Sequence, residues 1–354
     1  MDTDFMLDRV AVIGSGSWGT AVTSLLASRA GRTVLWCHEE IVAESINANR
    51  RNPHQLTFFD LPNNVEATTS LADAVSDANA VLLVVPSAFL RSVCRSLGEH
   101  LDPNVPVLVL TKGVERGSGA LMADVAAQEL GNERRIAVLS GPNHAEEVCL
   151  GKISGAVIAS QDADVARLFQ QLLVCSSFRV YVSEDVRGIE LCAAQKNVIA
   201  IACGMALALG AGDNTIAALM TRGLAEMSRV SVAMGGDPIT CMGLAGMGDL
   251  VATCTSPHSR NRTFGEAFAH GESLEEYQRR TEMVVEGAEA AASICELAER
   301  HSIQVPITQA VHGLLTGGYD LATAIELLLE RKPNEEFYGV VPGAHGGVID
   351  EGKE

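Results

Sequence analysis

A glycine-rich turn set directly behind a short β-branched run constrains this chain more than any other feature. Residues 9–13, Arg-Val-Ala-Val-Ile, read as a strand, and Gly14-Ser15-Gly16-Ser17-Trp18-Gly19 follows at once. The pattern then turns helical as far as Ala30, with Gly31 as the C-terminal glycine of that helix. Glycines at this spacing permit a tight turn and close backbone approach, and a helix starting there offers unpaired N–H groups and its positive dipole end to an anion. Strand, turn and helix in this order form a dinucleotide fingerprint, with Gly14, Gly16 and Gly19 shaping the space for a pyrophosphate.

Beyond the turn, short β-branched runs at 10–13, 33–36, 80–85, 107–110, 136–139, 156–159 and 179–182 alternate with helical patterns. Such alternation predicts repeated βαβ units in a doubly wound α/β domain of Rossmann type over residues 1–185, with the last two runs as an antiparallel edge. After residue 185 the rhythm stops. Ala- and Leu-rich helical stretches at 186–211, 215–234, 288–301 and 321–329 predict an all-α domain over 186–341. The glycine-rich stretch 342–354 has no apolar period and reads as a disordered tail.

Composition narrows the partners. The formal charge of −18 over 354 residues repels phosphate backbones and anionic membrane faces, so neither nucleic acid nor membrane is an expected partner, and an anionic ligand needs a local basic pocket. Nine cysteines (37, 94, 149, 175, 192, 203, 241, 254 and 295) include no C-x-x-C pair, and their odd number cannot be fully bridged within one chain, so they read as reduced thiols. The N-terminus carries two acids before any apolar run and does not read as a signal peptide, and the longest apolar run, 198–209, is too short to span a bilayer. A cytoplasmic location is expected; no metal is.

The residues closing the second predicted strand are Trp36-Cys37-His38-Glu39-Glu40. Glu39, 20 residues past Gly19, would accept from a ribose 2′-hydroxyl and favour NAD, whereas a protonated His38 would face a 2′-phosphate and favour NADP. Both readings stay open, as does the plainer one in which Glu39 and Glu40 are solvated acids opening the next helix. Lys112 follows the run 107–110 at the carboxyl end of its strand, where ligands bind in doubly wound sheets. The next strand ends in Ser140-Gly141-Pro142-Asn143-His144-Ala145, so a cation and a helix N-terminus come from adjacent strand ends.

Lys196 is the only charge between residues 191 and 211. A charge in so apolar a helix is costly unless it is paired or has a task, and desolvation favours the neutral amine that a proton shuttle passes through. The competing reading is a lysine whose head snorkels to the helix edge. Asp249, behind the turn Gly246-Met247-Gly248, is either a helix cap or the carboxylate partner of Lys196. Ser259-Arg260-Asn261-Arg262 joins an N-capping residue to two guanidinium groups and suits a phosphate.

Taken in this order, the fingerprint, Thr111-Lys112-Gly113, Ser140-Gly141-Pro142, Lys196-Asn197, Gly248-Asp249 and Ser259-Arg260-Asn261 make the chain resemble the bacterial NAD(P)-dependent glycerol-3-phosphate dehydrogenases. The resemblance runs from about Arg9 to Val341 and is strongest at 196–200, 221–227 and 259–262. It implies reversible reduction of dihydroxyacetone phosphate to sn-glycerol 3-phosphate with NAD or NADP, a supply role in glycerophospholipid synthesis, and a homodimer. Carried over by position, Lys196 would donate and accept the proton and Lys112 would polarise the substrate beside the nicotinamide. Asp249 and Asn197 would arrange the site, with Thr253 a lesser candidate. Gly141, Asn143, Ser259, Arg260 and Asn261 would hold the substrate. Ser17, Trp18, His38, Lys112, Ala145, Arg260, Val284 and Glu286 would touch the cofactor. Many bacterial members carry Thr-Phe where this chain has Asn143-His144, and some carry an arginine near Glu39. Two other readings share the fingerprint: another two-domain dehydrogenase of hydroxyacid or 6-phosphogluconate type, and a non-catalytic NAD(P)-binding redox sensor.

Overall fold

The structure is a computed structural model that describes residues 5–281, 283–330, 336, 339 and 340; the expected tail at 342–354 lies outside the described residues. The chain divides into two compact units. One runs up to Lys112 and resumes over Met122–Val186; the other comprises Gly113–Leu121 and the chain from Arg187 onward. The sequence pattern assigned the whole of 1–185 to the first unit, but the excursion Gly113–Leu121 belongs to the second. Val114 and Leu121 bridge each other and join the apolar cluster of Leu191, Ile294 and Leu297, and Arg300 donates to the carbonyls of Gly117 and Ser118.

The first unit is an eight-stranded sheet in the order β3-β2-β1-β4-β5-β6-β7-β8. Its strands are β1 (Leu7–Ile13), β2 (Ala30–Trp36), β3 (Val65–Thr68), β4 (Ala80–Leu83), β5 (Val107–Val109), β6 (Ile136–Ser140), β7 (Ser154–Ser160) and β8 (Phe178–Ser183). Helices α1 (Ser17–Leu25), α2 (Glu40–Asn49), α3 (Leu71–Val75), α4 (Ser87–Gly98), α5 (Met122–Leu130), α6 (Ala145–Cys149) and α7 (Ala163–Leu173) connect them. Val10, Ala11, Val12 and Ile13 are all fully buried, because a parallel strand covered by helices on both faces has no solvent side. Strand order reverses between β1 and β4, which makes the end of β1 a topological switch point.

Three local expectations are corrected. The helix after the glycine turn ends at Leu25, a 3₁₀ turn over Leu26–Ser28 follows, and Gly31 lies inside β2 rather than capping a helix. β3, four residues with Glu66 between Val65 and Ala67, is too short to stand out as an apolar run. The antiparallel pairing is β6 with β7, whereas β7 and β8 run parallel, since α7 carries the chain back over the sheet between them.

The second unit is helical among its described residues apart from the Val114–Leu121 bridge: α8 (Val186–Ala208), α9 (Asp213–Ala233), α10 (Asp249–Thr255), α11 (Arg260–Ala269), α12 (Leu274–Thr281), α13 (Glu286–His301), α14 (Pro306–Leu315) and α15 (Leu321–Leu329). Helix α8 is longer than its apolar run 198–209 suggests. At 23 residues, with a mean hydropathy of 1.5 in its most apolar stretch, it has the length and composition to cross a bilayer, yet 78% of that stretch is buried inside the unit, as befits a core helix. Helix α11 crosses α8 through a reciprocal glycine contact. A Cβ on Gly204 would lie 2.0 Å from the Arg262 carbonyl oxygen, and one on Gly265 would lie 2.2 Å from that of Ile201. The two backbones therefore touch, and the start of α11 is held in register with the middle of α8.

Candidate active site

In the first unit the glycine turn has the form that a dinucleotide requires. Gly14 adopts φ +118°, and a Cβ there would lie 2.6 Å from the Val84 carbonyl oxygen, while one on Gly19 would lie 1.9 Å from that of Gly14. A Cβ on Gly16 would meet nothing within 4 Å, so the space above the turn is open. Gly16 caps α1 without a side chain, which leaves the first N–H groups of the helix directed at that space. These observations fit a bound pyrophosphate.

Sequence reasoning missed the loop that straps this turn. Asn52 Nδ2 donates to the Ser15 carbonyl at 2.8 Å and to Thr20 Oγ1 at 3.0 Å, and its Oδ1 accepts from the N–H groups of His54 and Gln55. Gln55 Oε1 in turn accepts from Ser17 Oγ at 2.5 Å. The Asn-Pro pair at 52–53 was the available turn signal. Trp18 is half-buried against Phe178 with 6.4 Å between ring centroids, and its Nε1 is buried with no hydrogen-bond partner among the described residues.

At the end of β2, His38, Glu39 and Glu40 are exposed. Glu39 is the N-cap residue of α2 but its side chain makes no capping bond; Oε2 lies 3.8 Å from His54 Nε2. Nearby arginines are engaged elsewhere: Arg32 with Glu66, Arg51 with Asp60, and Arg50 with the carbonyls of Pro62 and Val65. Lys112, just past β5, is half-buried beside Thr111, whose hydroxyl donates to the Val85 carbonyl. Gly141, at φ +150°, passes so close to β7 that a Cβ would lie 2.6 Å from the Gly155 carbonyl oxygen. Asn143 keeps a buried Nδ2 with no partner among the described residues, an amide donor available to a ligand, and Ala145 opens α6.

The second unit holds the candidates Lys196, Asn197, Asp249 and Thr253. Lys196, only 5% exposed, directs Nζ at Asp249 Oδ1 at 2.5 Å and at Thr253 Oγ1 at 3.0 Å. The snorkelling reading therefore fails, and Asp249, in the first turn of α10 behind the N-cap residue Gly248, is the carboxylate partner of Lys196. Thr253 itself donates to the Asp249 backbone carbonyl at 2.6 Å. Asp249 reaches α8 because a π-turn over Leu244–Gly248 precedes it; a Cβ on Gly246 would lie 2.0 Å from the Cys241 carbonyl oxygen, so only glycine fits there.

Beside Lys196, Asn197 Nδ2 approaches Glu286 Oε2 at 3.3 Å, and the Gly287 N–H donates to Asn261 Oδ1 at 2.9 Å. The second bond fixes the Asn261 amide so that its NH₂ points away from α13. Ser259 caps α11 by accepting from the Arg262 N–H. Of the two guanidinium groups, Arg262 is occupied by Glu266 and the Ser256 carbonyl, whereas Arg260 is exposed. Val284 is 45% exposed just before α13. The 221–227 run, one of the strongest points of resemblance, serves architecture: Gly223 lets α9 pass against Ile199. Fully buried Glu226 accepts from the N–H groups of Ile307 and Thr308 and from the Thr308 hydroxyl at the start of α14.

A buried ammonium with a carboxylate and a hydroxyl as its partners can give or take one proton in a dry environment, and an exposed arginine at a helix start can hold a dianion. Comparison with known proteins places the whole chain. The family profile of the NAD-dependent glycerol-3-phosphate dehydrogenase N-terminus matches residues 9–166, and that of the C-terminus matches 185–326. Glycerol-3-phosphate dehydrogenase [NAD(P)+] from Pelotomaculum thermopropionicum is 43% identical over 341 residues, covering 96% of this chain and 98% of its own. The Thermobifida fusca protein of the same name is 44% identical over 336 residues, covering 94% and 100%. Among solved structures, glycerol-3-phosphate dehydrogenase from Coxiella burnetii aligns with a TM-score of 0.87 at 36% identity, over 92% of this chain and 99% of that one. Ketopantoate reductase from Ralstonia eutropha, at TM-score 0.57 and 19% identity, shares the fold alone. With both halves matched and such identity over nearly its whole length, the chain belongs to the NAD(P)-dependent glycerol-3-phosphate dehydrogenase family.

Proposed function

We propose that the protein reduces dihydroxyacetone phosphate reversibly to sn-glycerol 3-phosphate, with NAD or NADP as cofactor, and so supplies glycerophospholipid synthesis. The observation that carries this reading is the buried Lys196 Nζ held by Asp249 and Thr253 in a family member. In the reducing direction Lys196 gives its proton to the carbonyl oxygen as negative charge grows there; in the reverse direction it takes the proton from the C2 hydroxyl. Asp249 and Thr253 aim the ammonium, and Asn197, the next residue on α8, is held by Glu286. Lys112 is assigned to the carbonyl oxygen as a second cation. Cations placed where charge develops stabilise the transition state more than the ground state, which is what lowers a barrier.

Arg260, Asn261 and Ser259 are assigned to the substrate phosphate, supported by the exposure of Arg260 and by the Gly287 bond that orients Asn261. Gly141 and Asn143 are also assigned to the substrate, Asn143 through its buried Nδ2, which has no partner among the described residues. Gly14, Gly16, Ser17, Trp18 and Gly19 hold the pyrophosphate side of the cofactor; His38, Lys112, Ala145, Arg260, Val284 and Glu286 are its further contacts. When bound, the nicotinamide supplies the hydride. We assign the protein to the cytoplasm, consistent with nine cysteines that are all thiols, and to a homodimer.

Loss of reduced-nicotinamide absorbance on adding dihydroxyacetone phosphate, followed with NADH and NADPH in parallel, tests the proposal. Dinucleotide binding without turnover would leave the redox-sensor reading standing, and turnover of unphosphorylated hydroxyacids alone would favour the other dehydrogenase class.

A further inference from the structure

Two buried thiols meet beside the proton-transfer site. Cys192 Sγ and Cys241 Sγ are 3.2 Å apart, and both residues are fully buried. Cys192 lies on α8 one turn before Lys196, on the same face. Cys241 belongs to a short 3₁₀ turn, Pro238–Met242, and its carbonyl oxygen is wedged against Gly246 of the π-turn that carries Asp249. The pair therefore links the element that holds Lys196 to the element that holds its carboxylate partner.

We propose that Cys192 and Cys241 form a redox modification site, a dithiol that a two-electron oxidant of the hydroperoxide class converts to a disulfide. The thiols are already in contact, so bonding at about 2.05 Å requires an approach of roughly 1 Å and no refolding of either element. Access runs through Cys241. It sits on a single turn whose neighbours Ile239 and Met242 are 71% and 70% exposed, whereas Cys192 lies mid-core on a long helix. Local opening of that turn admits the oxidant to Cys241 first. The hydroperoxide oxidises the Cys241 thiol to a sulfenic acid and is itself reduced to the alcohol, or to water for hydrogen peroxide. The Cys192 thiol then attacks that sulfur, forming the S–S bond and releasing one water. Two thiols and one hydroperoxide thus give one disulfide, one alcohol and one water.

A second neighbouring pair marks the contrast. Cys254, hydrogen-bonded to Cys203, is held firmly in its protonated form, first by that bond and then by burial. Cys203 and Cys254 lie on α8 and α10, with no exposed 3₁₀ turn carrying either, so this pair stays reduced under the same treatment. In the bridged state Cys241 is drawn toward α8, and through Gly246 the displacement reaches Asp249. A misplacement of about 1 Å at a reacting group lowers turnover by up to about 100-fold, so the oxidised enzyme is expected to lose 10- to 100-fold in kcat, a consequence that rests on the role proposed for Lys196.

The test uses the full chain. After treatment with stoichiometric hydrogen peroxide, remaining thiols are blocked and peptides mapped without reduction. The expected result is one cross-linked peptide joining Cys192 to Cys241, a loss of two of the nine titratable thiols, and full reversal by dithiothreitol. Cys241→Ser should abolish the cross-link and protect kcat from peroxide. The mapping on unmutated protein stands even if the variant folds poorly, and it does not depend on the reaction. Nine unreacted thiols, or a cross-link at Cys203–Cys254 instead, would overturn the proposal; a Cys192–Cys241 bridge with unchanged kcat would uphold the site and refute its coupling to Lys196.

Discussion

Lys196→Met, alone and combined with Asp249→Leu, separates the chemical role of the lysine from its structural one. The ion pair is buried at 5% and 2% exposure, so removing the ammonium alone leaves an uncompensated carboxylate in the core of the second unit. Breaking such a pair costs about 3–5 kcal/mol, whereas replacing both members by apolar groups of similar volume is neutral or stabilising by up to about 4 kcal/mol. For a unit of this size 1 kcal/mol shifts Tm by about 2–4 °C, so Lys196→Met should melt roughly 6–20 °C lower and the double variant near the parent. Activity should not follow stability. Loss of a general acid lowers kcat by about two to four orders of magnitude, roughly 3–5 kcal/mol of barrier, and the leucine restores none of it. Thermal denaturation, reduced-nicotinamide absorbance with dihydroxyacetone phosphate, and a fluorescence titration of cofactor binding read the three quantities separately. A double variant with near-normal kcat would refute Lys196 as the proton donor and leave it as a packing feature.

Other outcomes follow from single contacts. Gly16→Val should abolish dinucleotide binding with Tm unchanged, because its side chain enters open space above the turn rather than the core; normal NADH and NADPH titrations would reduce the fingerprint to a bend. Arg260→Ala should raise KM for dihydroxyacetone phosphate about 10- to 150-fold, the value of a charged hydrogen bond, while the poor activity on unphosphorylated dihydroxyacetone barely changes; equal losses on both would move the residue to the cofactor. Gly265→Ala drives a methyl to 2.2 Å from the Ile201 carbonyl oxygen and should cost about 1–3 kcal/mol while raising the substrate KM, because the start of α11 shifts; an unchanged Tm and KM would refute the close contact of α11 with α8. Glu226→Gln removes one of two carboxylate acceptors at the start of α14 and should lower stability by about 1–3 kcal/mol with KM unchanged, as read by denaturant unfolding.

The sequence by itself determined the parts of this protein that rest on local physics. A glycine turn behind an apolar run is legible because its chemistry lies within six residues, and the alternation of β-branched and helical segments announces a parallel sheet because each βαβ unit repeats the same local demand. Lys196 stood out for a similar reason: the one charge in a 21-residue, mostly apolar stretch needs a partner wherever the helix is placed. Tertiary structure decided everything that depended on which distant segments meet. Asp249 and Thr253 are 53 and 57 residues from Lys196, and a π-turn, which no periodicity announces, brings them to it. Arg260 and Arg262 are alike in sequence, and only packing assigned one to Glu266 and left the other to solvent. The strap formed by Asn52 and Gln55, the excursion Gly113–Leu121 and the contact of Cys192 with Cys241 each join residues that sequence spacing keeps far apart. Loop closure costs little more for a long separation than for a short one, so the chain can make such contacts freely, and no local pattern records which of them it makes.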